Sequence, residues 1–272
     1  MRVLIRAAIL ITLGLIGSAV SVAGSIESAV DAKHRDMMNT ARDVYRNPIE
    51  TLQFFGLEPG MTVVEMTPGA GWYTEIIGAV VAGEGKLYAA QGPYNDVPAY
   101  QRRNLARFFT LLSANDDIYK GVEMTTFKPP YQLAIAPAGS ADMVLTFRNL
   151  HNWIGAGATD GVSARLAFRA MFDALKPGGI LGIVDHRWPE DGDVEAGMKA
   201  GYIKESMAIK MAEEAGFRLE AKSEVNANPD DTKDYERGVW TLPPVLALGA
   251  QNREGYLAIG ESDRFTLKFV KP

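Results

Sequence analysis

The chain has 272 residues, 47% of them hydrophobic, with no cysteine and a formal net charge of −5 at pH 7. Its length and apolar content suit one large α/β domain, and an acidic chain without long basic runs argues against nucleic acid or an anionic membrane surface as partner. The lack of cysteine excludes disulfides, a lipid-bearing cysteine and a thiol nucleophile.

Residues 1–23 read as a secretory signal. Arg2 and Arg6 supply positive charge, and Ala7 to Val20 form an apolar run short for a membrane span. Ser21-Val22-Ala23 then places small residues where a signal peptidase cuts. Cleavage there removes two arginines and no acid, leaves no stable membrane anchor and predicts an exported, periplasmic protein. An uncleaved anchor is the competing reading.

Residues 24–46 predict a polar-faced helical arm. The main domain, 47–272, opens with a marked helix start, with Asn47 as cap, Pro48 at the first helical position and Glu50 three residues after the cap. Leu52 and Phe55 give that helix an apolar face, and Gly56 ends it. Met61 to Met66 predicts a strand. Pro68-Gly69-Ala70-Gly71 follows, then a helix with Ile76, Ile77, Val80 and Val81 at helical spacing. Lys86 to Ala90 predicts a second strand, and Arg102 to Leu112 a helix with Leu105, Phe108, Phe109 and Leu112 on one face. Val122 to Thr125 and Asp142 to Phe147 predict the third and fourth strands.

Phe168, Met171, Phe172 and Leu175 make the stripe of the next helix. Lys176-Pro177-Gly178-Gly179 reads as a turn into a fifth strand, Ile180 to Val184. Tyr202 to Ala215 predicts a helix closed by Gly216, and Arg218 to Val225 a sixth strand. Alternation of Phe265, Leu267 and Phe269 marks the last strand. Strands alternating with helices imply a mostly parallel sheet covered on both faces.

The stretch Val63-Val64-Glu65-Met66-Thr67-Pro68-Gly69-Ala70-Gly71 resembles the first motif of class I S-adenosylmethionine-dependent methyltransferases, a strand ending in an acid and then a glycine turn into a helix. Glycines there let the backbone turn tightly and approach a ligand, and amides at the helix start face its polar groups. Leu175-Lys176-Pro177-Gly178-Gly179-Ile180-Leu181 resembles the superfamily's turn before strand five, and Asp142 to Leu145 with Asn149-Leu150-His151 resembles its fourth strand and active-site loop. The strings 146–153 and 226–234 resemble a narrower bacterial group of predicted, exported methyltransferases. The resemblance covers residues 47–272. It implies a three-layer Rossmann-like fold, a seven-stranded sheet with an antiparallel last strand, and S-adenosylmethionine as cofactor. Its cofactor-binding candidates are Glu65, Thr67, Pro68, Gly69, Ala70, Gly71, Gln91, Arg148 and Asn149.

A dinucleotide-binding oxidoreductase is the competing reading of the glycine turn. Its fingerprint requires a third glycine where Thr74 stands and an acid closing strand two, and neither is present. The methyltransferase pattern has departures of its own. Thr67 stands for the first glycine, Gln91 stands for the ribose-binding acid, and no acid follows the third strand. A neutral amide binds a ribose hydroxyl less strongly than a carboxylate does.

Ligands of open α/β sheets sit beyond the carboxyl ends of the strands. Two of the three histidines fall there, His151 after strand four and His186 after Asp185 in strand five. Such a histidine can act as general base near neutral pH, although both can equally be structural. The catalytic candidates are His151, His186, Asn152 and Asp185, with Trp153 as a pocket wall. Asp185, His186, His151 and the acids of 226–264 could instead ligate a metal such as Zn or Fe, but no HxxxH or HxD spacing among them places two ligands on one element, so no metal is expected. Residues 226–264, far longer than a hairpin loop requires, are expected to form a lid or substrate platform over the site, with a solvated ornament or an oligomer contact as the competing reading. The expected function is methyl transfer to a small-molecule acceptor. The alternative is a non-catalytic exported binding protein on the same fold.

Overall fold

A computed structural model describes residues 24–154 and 161–272; the expected signal, 1–23, lies outside the described residues. The strands in chain order are β1 (Thr62–Met66), β2 (Lys86–Gln91), β3 (Val122–Thr126), β4 (Ala141–Phe147), β5 (Leu175–Trp188), β6 (Ile203–Lys204), β7 (Arg218–Ser223) and β8 (Arg264–Val270). They form one sheet of order β3-β2-β1-β4-β5-β8-β7, with the two-residue β6 set against the end of β5. Every pairing is parallel except those of β8 with β5 and β7. This is the expected sheet with one short strand added. Among the described residues, no helix is long and apolar enough to cross a membrane.

Successive strand residues point to opposite faces, so a parallel sheet feeds two cores. Val63, Met143 and Leu145 pack with Leu52, Phe55, Ile76, Ile77 and Val80 on one face. Val64, Met66 and Val144 pack with Phe168, Met171 and Phe217 on the other. Burying each of these large side chains contributes about 1.5–3 kcal/mol. Gly182 of β5 lets the helix Pro48–Phe55 lie close to the sheet, since a Cβ there would come within 2.6 Å of Leu145 and 2.8 Å of Phe55.

Several local expectations are corrected. The arm holds three short helices, Ile26–Val30, Met37–Thr40 and Asp43–Arg46. Asn47 is not a side-chain cap. It takes a left-handed conformation (φ 40°) between two helices, and its Nδ2 donates to the Val225 carbonyl at 2.6 Å. Phe109 is 52% exposed while Phe108 beside it is fully buried, because the helix Ala99–Leu112 turns a narrower stripe inward than its sequence implies. The expected turn at 176–179 is an irregularity inside β5, where pairing jumps from Ala141↔Leu175 to Met143↔Ile180. There the Gly178 N–H donates to the Lys271 carbonyl at 2.8 Å, and the Lys271 N–H donates to the Gly179 carbonyl at 2.9 Å. The helix expected from Tyr202 begins only at Glu205, because Ile203 and Lys204 pair with β5.

The carboxyl ends of β1, β2, β4 and β5 share one rim. Because β8 runs antiparallel to β5, the connection 224–263 that precedes it also reaches this rim.

Candidate active site at the carboxyl rim of the sheet

The turn after β1 is braced from both sides. Glu65 points toward the helix Thr74–Val81, and the Thr74 hydroxyl donates to its Oε2 at 2.5 Å. Burial pushes the Glu65 carboxyl up to about 8, although the Thr74 bond opposes that rise. Gln91 Nε2 donates to the Gly69 carbonyl at 2.9 Å, and Asn149 Nδ2 donates to the Met66 carbonyl at 2.9 Å. Glu65, Gln91 and Asn149 thus hold the turn's shape through these bonds.

Thr67 adopts φ 48°, in the left-handed region that a β-branched residue rarely enters. Its hydroxyl is buried and has no hydrogen-bond partner. Strain of this kind persists only where surrounding structure imposes it, and it gathers at ligand sites. The two glycines differ. Gly69 (φ 63°) faces open space, whereas a Cβ on Gly71 (φ 93°) would stand 2.4 Å from Leu111. Gly69 therefore leaves room for a ligand, and Gly71 allows close packing of the helix Ala99–Leu112. Pro68 and Ala70 complete the turn and are partly exposed.

Beside this turn lies a buried pair. His151, in the helix Leu150–Ile154 after β4, meets Asp185 of β5 with Nδ1 and Oδ1 2.7 Å apart. Asp185 is fully buried, and it also accepts the backbone N–H groups of His151 at 3.2 Å and His186 at 2.7 Å. With Nδ1–H donating to Asp185, His151 keeps a lone pair on Nε2. The His186 ring lies 4.9 Å from that of His151, and its Nδ1 is 2.5 Å from the Ser262 hydroxyl. Burial, then the neighbouring His151, Arg148, Arg264 and Arg46, drive the His186 imidazole well below its usual range, so it is neutral.

Tyr202 stands edge-on to His186, with ring centroids 5.9 Å apart, and its hydroxyl donates to Asp231 Oδ1 at 3.2 Å. Asn152 is exposed on the far side of its helix and joins none of these bonds. Trp153 is buried edge-on against Phe127 and packs in the core.

The structure also assembles a group that the sequence does not announce. Arg42 and Arg46 of the arm and Arg264 of β8 all bond to Glu261, at 2.7, 3.0 and 3.2 Å. Arg148, which follows β4 with φ 60°, lies in the same electrostatic neighbourhood but pairs with no carboxylate among the described residues. Burial alone would raise the Glu261 carboxyl, but Arg46, Arg264, Arg148 and Arg42 together hold it well below the usual carboxylate range.

The rim thus brings together the turn 67–71, Gln91, Asn149, His151, Asp185 and His186, and it leaves Asn152 out. Sequence reading misses Thr74, Arg42, Arg46 and Tyr202, and it places Glu261 and Ser262 only within the connection expected at the rim. The i, i+4 spacing of Arg42 and Arg46 is the one local signal they carry. Ligand atoms of His151, Asp185 and His186 lie within 4.8 Å of one another. Both Nδ1 atoms are engaged by Asp185 and Ser262, however, and the nearby guanidinium charge opposes a cation there.

No protein-family model matches the chain, and no curated protein matches it. Solved structures do. A SAM-dependent methyltransferase from Aquifex aeolicus superposes with a TM-score of 0.53 at 18% identity, covering 85% of this chain and 93% of that one. CrArsM, an arsenic(III) S-adenosylmethionine methyltransferase from Chlamydomonas reinhardtii, gives 0.53 at 13% identity, over 92% and 73%. The [4+2]-cyclase SpnF gives 0.53 at 16%, over 88% and 83%. At these identities the likeness is one of architecture, and the chain has the Rossmann-like fold of the class I S-adenosylmethionine-dependent methyltransferases.

Proposed function

We propose that this protein transfers a methyl group from S-adenosylmethionine to a small-molecule acceptor, with His151 as general base. The carrying observation is the buried Asp185–His151 pair beside the glycine turn. The residues fit the cofactor in two respects. Gly69 faces open space where any other residue would put a Cβ, and the Thr67 hydroxyl is a buried polar group awaiting a partner. Thr67, the Pro68–Gly71 turn and Gln91 would hold the cofactor, whose sulfonium supplies an electrophilic methyl group when bound.

The chain's own residues do the rest. Asp185 fixes the His151 ring and its tautomer through the Nδ1 bond. His151 Nε2 takes the proton of an acceptor O–H or N–H as the nucleophile forms its new bond to carbon. Neutral His186, held by Ser262, adds no further positive charge next to that proton. Orientation of acceptor and methyl group on this rigid rim lowers the entropic part of the barrier. Asp185 gives electrostatic support to the His151 imidazolium that forms.

Calorimetric titration of residues 24–272 with S-adenosylmethionine and S-adenosylhomocysteine tests this reading. Binding is expected, with loss in Gly69→Val and retention in His151→Gln. Absence of binding to folded protein would overturn it. A second reading, a binding protein without turnover, is favoured by the commitment of Gln91 to the Gly69 carbonyl and by the missing acid after β3. The cyclase SpnF carries different chemistry on a similar architecture. Consumption of cofactor separates the two readings. We also propose that the protein acts after export, in the periplasm, as in the narrower exported group it resembles. Sequencing the N-terminus of the cell-derived protein checks for cleavage after Ala23.

A further inference from the structure

Glu261 is the one carboxylate bonded within a group of four arginines. It accepts from Arg42, Arg46 and Arg264, and Arg148 stands nearby with no carboxylate of its own among the described residues. Arg46, Arg264 and Glu261 are 0%, 3% and 3% exposed. Buried charge that lacks its counter-charge is strongly unfavourable, and one carboxylate cannot neutralise this group.

The hydrogen bonds show the same deficit. Arg46 uses only Nε on Glu261, while its Nη1 and Nη2 are buried without any partner. Its guanidinium is stacked on Trp72, 4.6 Å from the ring centroid, which holds the plane in place. Two free N–H-bearing nitrogens on a fixed plane match the paired oxygens of a carboxylate or phosphate. A buried water could satisfy the donors, but it would leave the charge.

Position makes the group part of the rim. Arg148 extends the ladder from β4 to β5 through its N–H to the Val184 carbonyl at 2.7 Å, and it remains partly exposed.

We propose that the Arg46–Arg148 face of this cluster is an anion subsite that takes a carboxylate or phosphate group of the methyl acceptor. Naming the acceptor as its source rests on the methyl-transfer reading; the anion site itself does not. The other source of such a group is the methionyl carboxylate of the cofactor, and the experiment separates the two.

Inorganic phosphate, and malonate as a carboxylate probe, are titrated calorimetrically into residues 24–272 at low ionic strength, where charge screening is weak. The titrations are repeated with saturating S-adenosylhomocysteine. One saturable site for at least one probe is expected, weakened at least about tenfold in Arg46→Met and in Arg148→Met, and unchanged by S-adenosylhomocysteine. Three results overturn the proposal. These are no saturable binding of either probe, equal affinity in wild type and both variants, or displacement by S-adenosylhomocysteine, which would give the cluster to the cofactor. If Arg46→Met does not melt cooperatively, Arg148→Met decides, since that side chain has no carboxylate partner to lose. Failure of S-adenosylhomocysteine to bind sinks the methyl-transfer reading, and the phosphate titration then still decides the anion site.

Discussion

Asp185 has no exposed surface and accepts three hydrogen bonds, two from backbone amides and one from the His151 ring. Its backbone bonds fix the carboxyl group, and the carboxyl group fixes the imidazole. Asp185→Asn keeps the shape but places an amide where the Nδ1 proton is accepted, which disfavours the tautomer with a basic Nε2. Turnover in Asp185→Asn and His151→Gln is expected to fall about 10²–10⁴-fold, the range for loss of a general base. S-adenosylhomocysteine affinity should stay near wild type in both, and a parallel loss of affinity would show that the pair is structural.

The titrating residues carry opposite signs. His186 binds its proton less readily in the folded protein, so the unfolded chain holds more protons below the ordinary histidine value of about 6.5. Its share of stability is present above that pH and is lost as pH falls. Glu65, pushed up to about 8, contributes in the other direction. Its share is full below the ordinary carboxylate value and is lost as pH rises toward 8. Denaturant melts of Glu65→Gln against wild type, taken between pH 5 and 8.5, should show the variant gaining relative stability as pH rises. A constant difference would show that the carboxyl is already ionised.

At the scale of elements, the glycine turn separates two tasks that the motif presents as one. Gly71 is packed under Leu111 and Phe108, whereas Gly69 has nothing within 4 Å. Both have positive φ, so any side chain costs about 1–2 kcal/mol at either position. Gly71→Val should add overpacking of about 1–3 kcal/mol to that strain and lower the melting temperature markedly. Gly69→Val should melt closer to wild type yet lose cofactor binding. Similar melting temperatures for the two variants would show that the helix Ala99–Leu112 yields to the added side chain.

The connection between β7 and β8 is tied down by buried polar bonds. Ser262 meets His186, Asn226 Nδ2 donates to Thr51 and Thr266 at 2.9 and 3.0 Å, and Asp231 Oδ2 accepts the Asp263 N–H at 2.8 Å. Except for the Asp231–Asp263 bond, which lies within the connection, the partners sit on the sheet and on the helix Pro48–Phe55. Removing the segment would leave them unpaired, at about 1–3 kcal/mol each.

Across the whole molecule, Glu261 fastens the N-terminal arm to the last strand. Arg42 and Arg46 reach it from the N-terminal arm, and Arg264 from the start of β8. Glu261→Gln removes the one carboxylate bonded among these guanidinia. Breaking a buried pair from one side typically costs about 3–5 kcal/mol, so urea melts should show a loss of that size. Its depressed titration gives a further sign. The stability that Glu261 contributes is present above the ordinary carboxylate value and is lost as pH falls through the acidic range. A variant as stable as wild type at pH 7 would show that the cluster gains nothing from its carboxylate.

What the sequence by itself determines here is local in origin. The succession of strands and helices along the chain follows from alternating apolar runs and helical stripes. The glycine turn, His151, Asp185 and His186 are found because each sits where a strand ends, and parallel topology gathers such ends on one rim. Roles within the turn stay hidden, since the sequence does not show that Gln91 also bonds to the Gly69 carbonyl or that Glu65 accepts from Thr74. The arginine cluster is decided by tertiary structure alone. Arg46 and Glu261 lie 215 positions apart, and no periodicity or spacing links them. Their meeting depends on β8 running antiparallel, which returns the connection before it to the rim that the arm covers. Hydrophobic period is a property of neighbours in the chain, whereas compensation of buried charge is a property of neighbours in space.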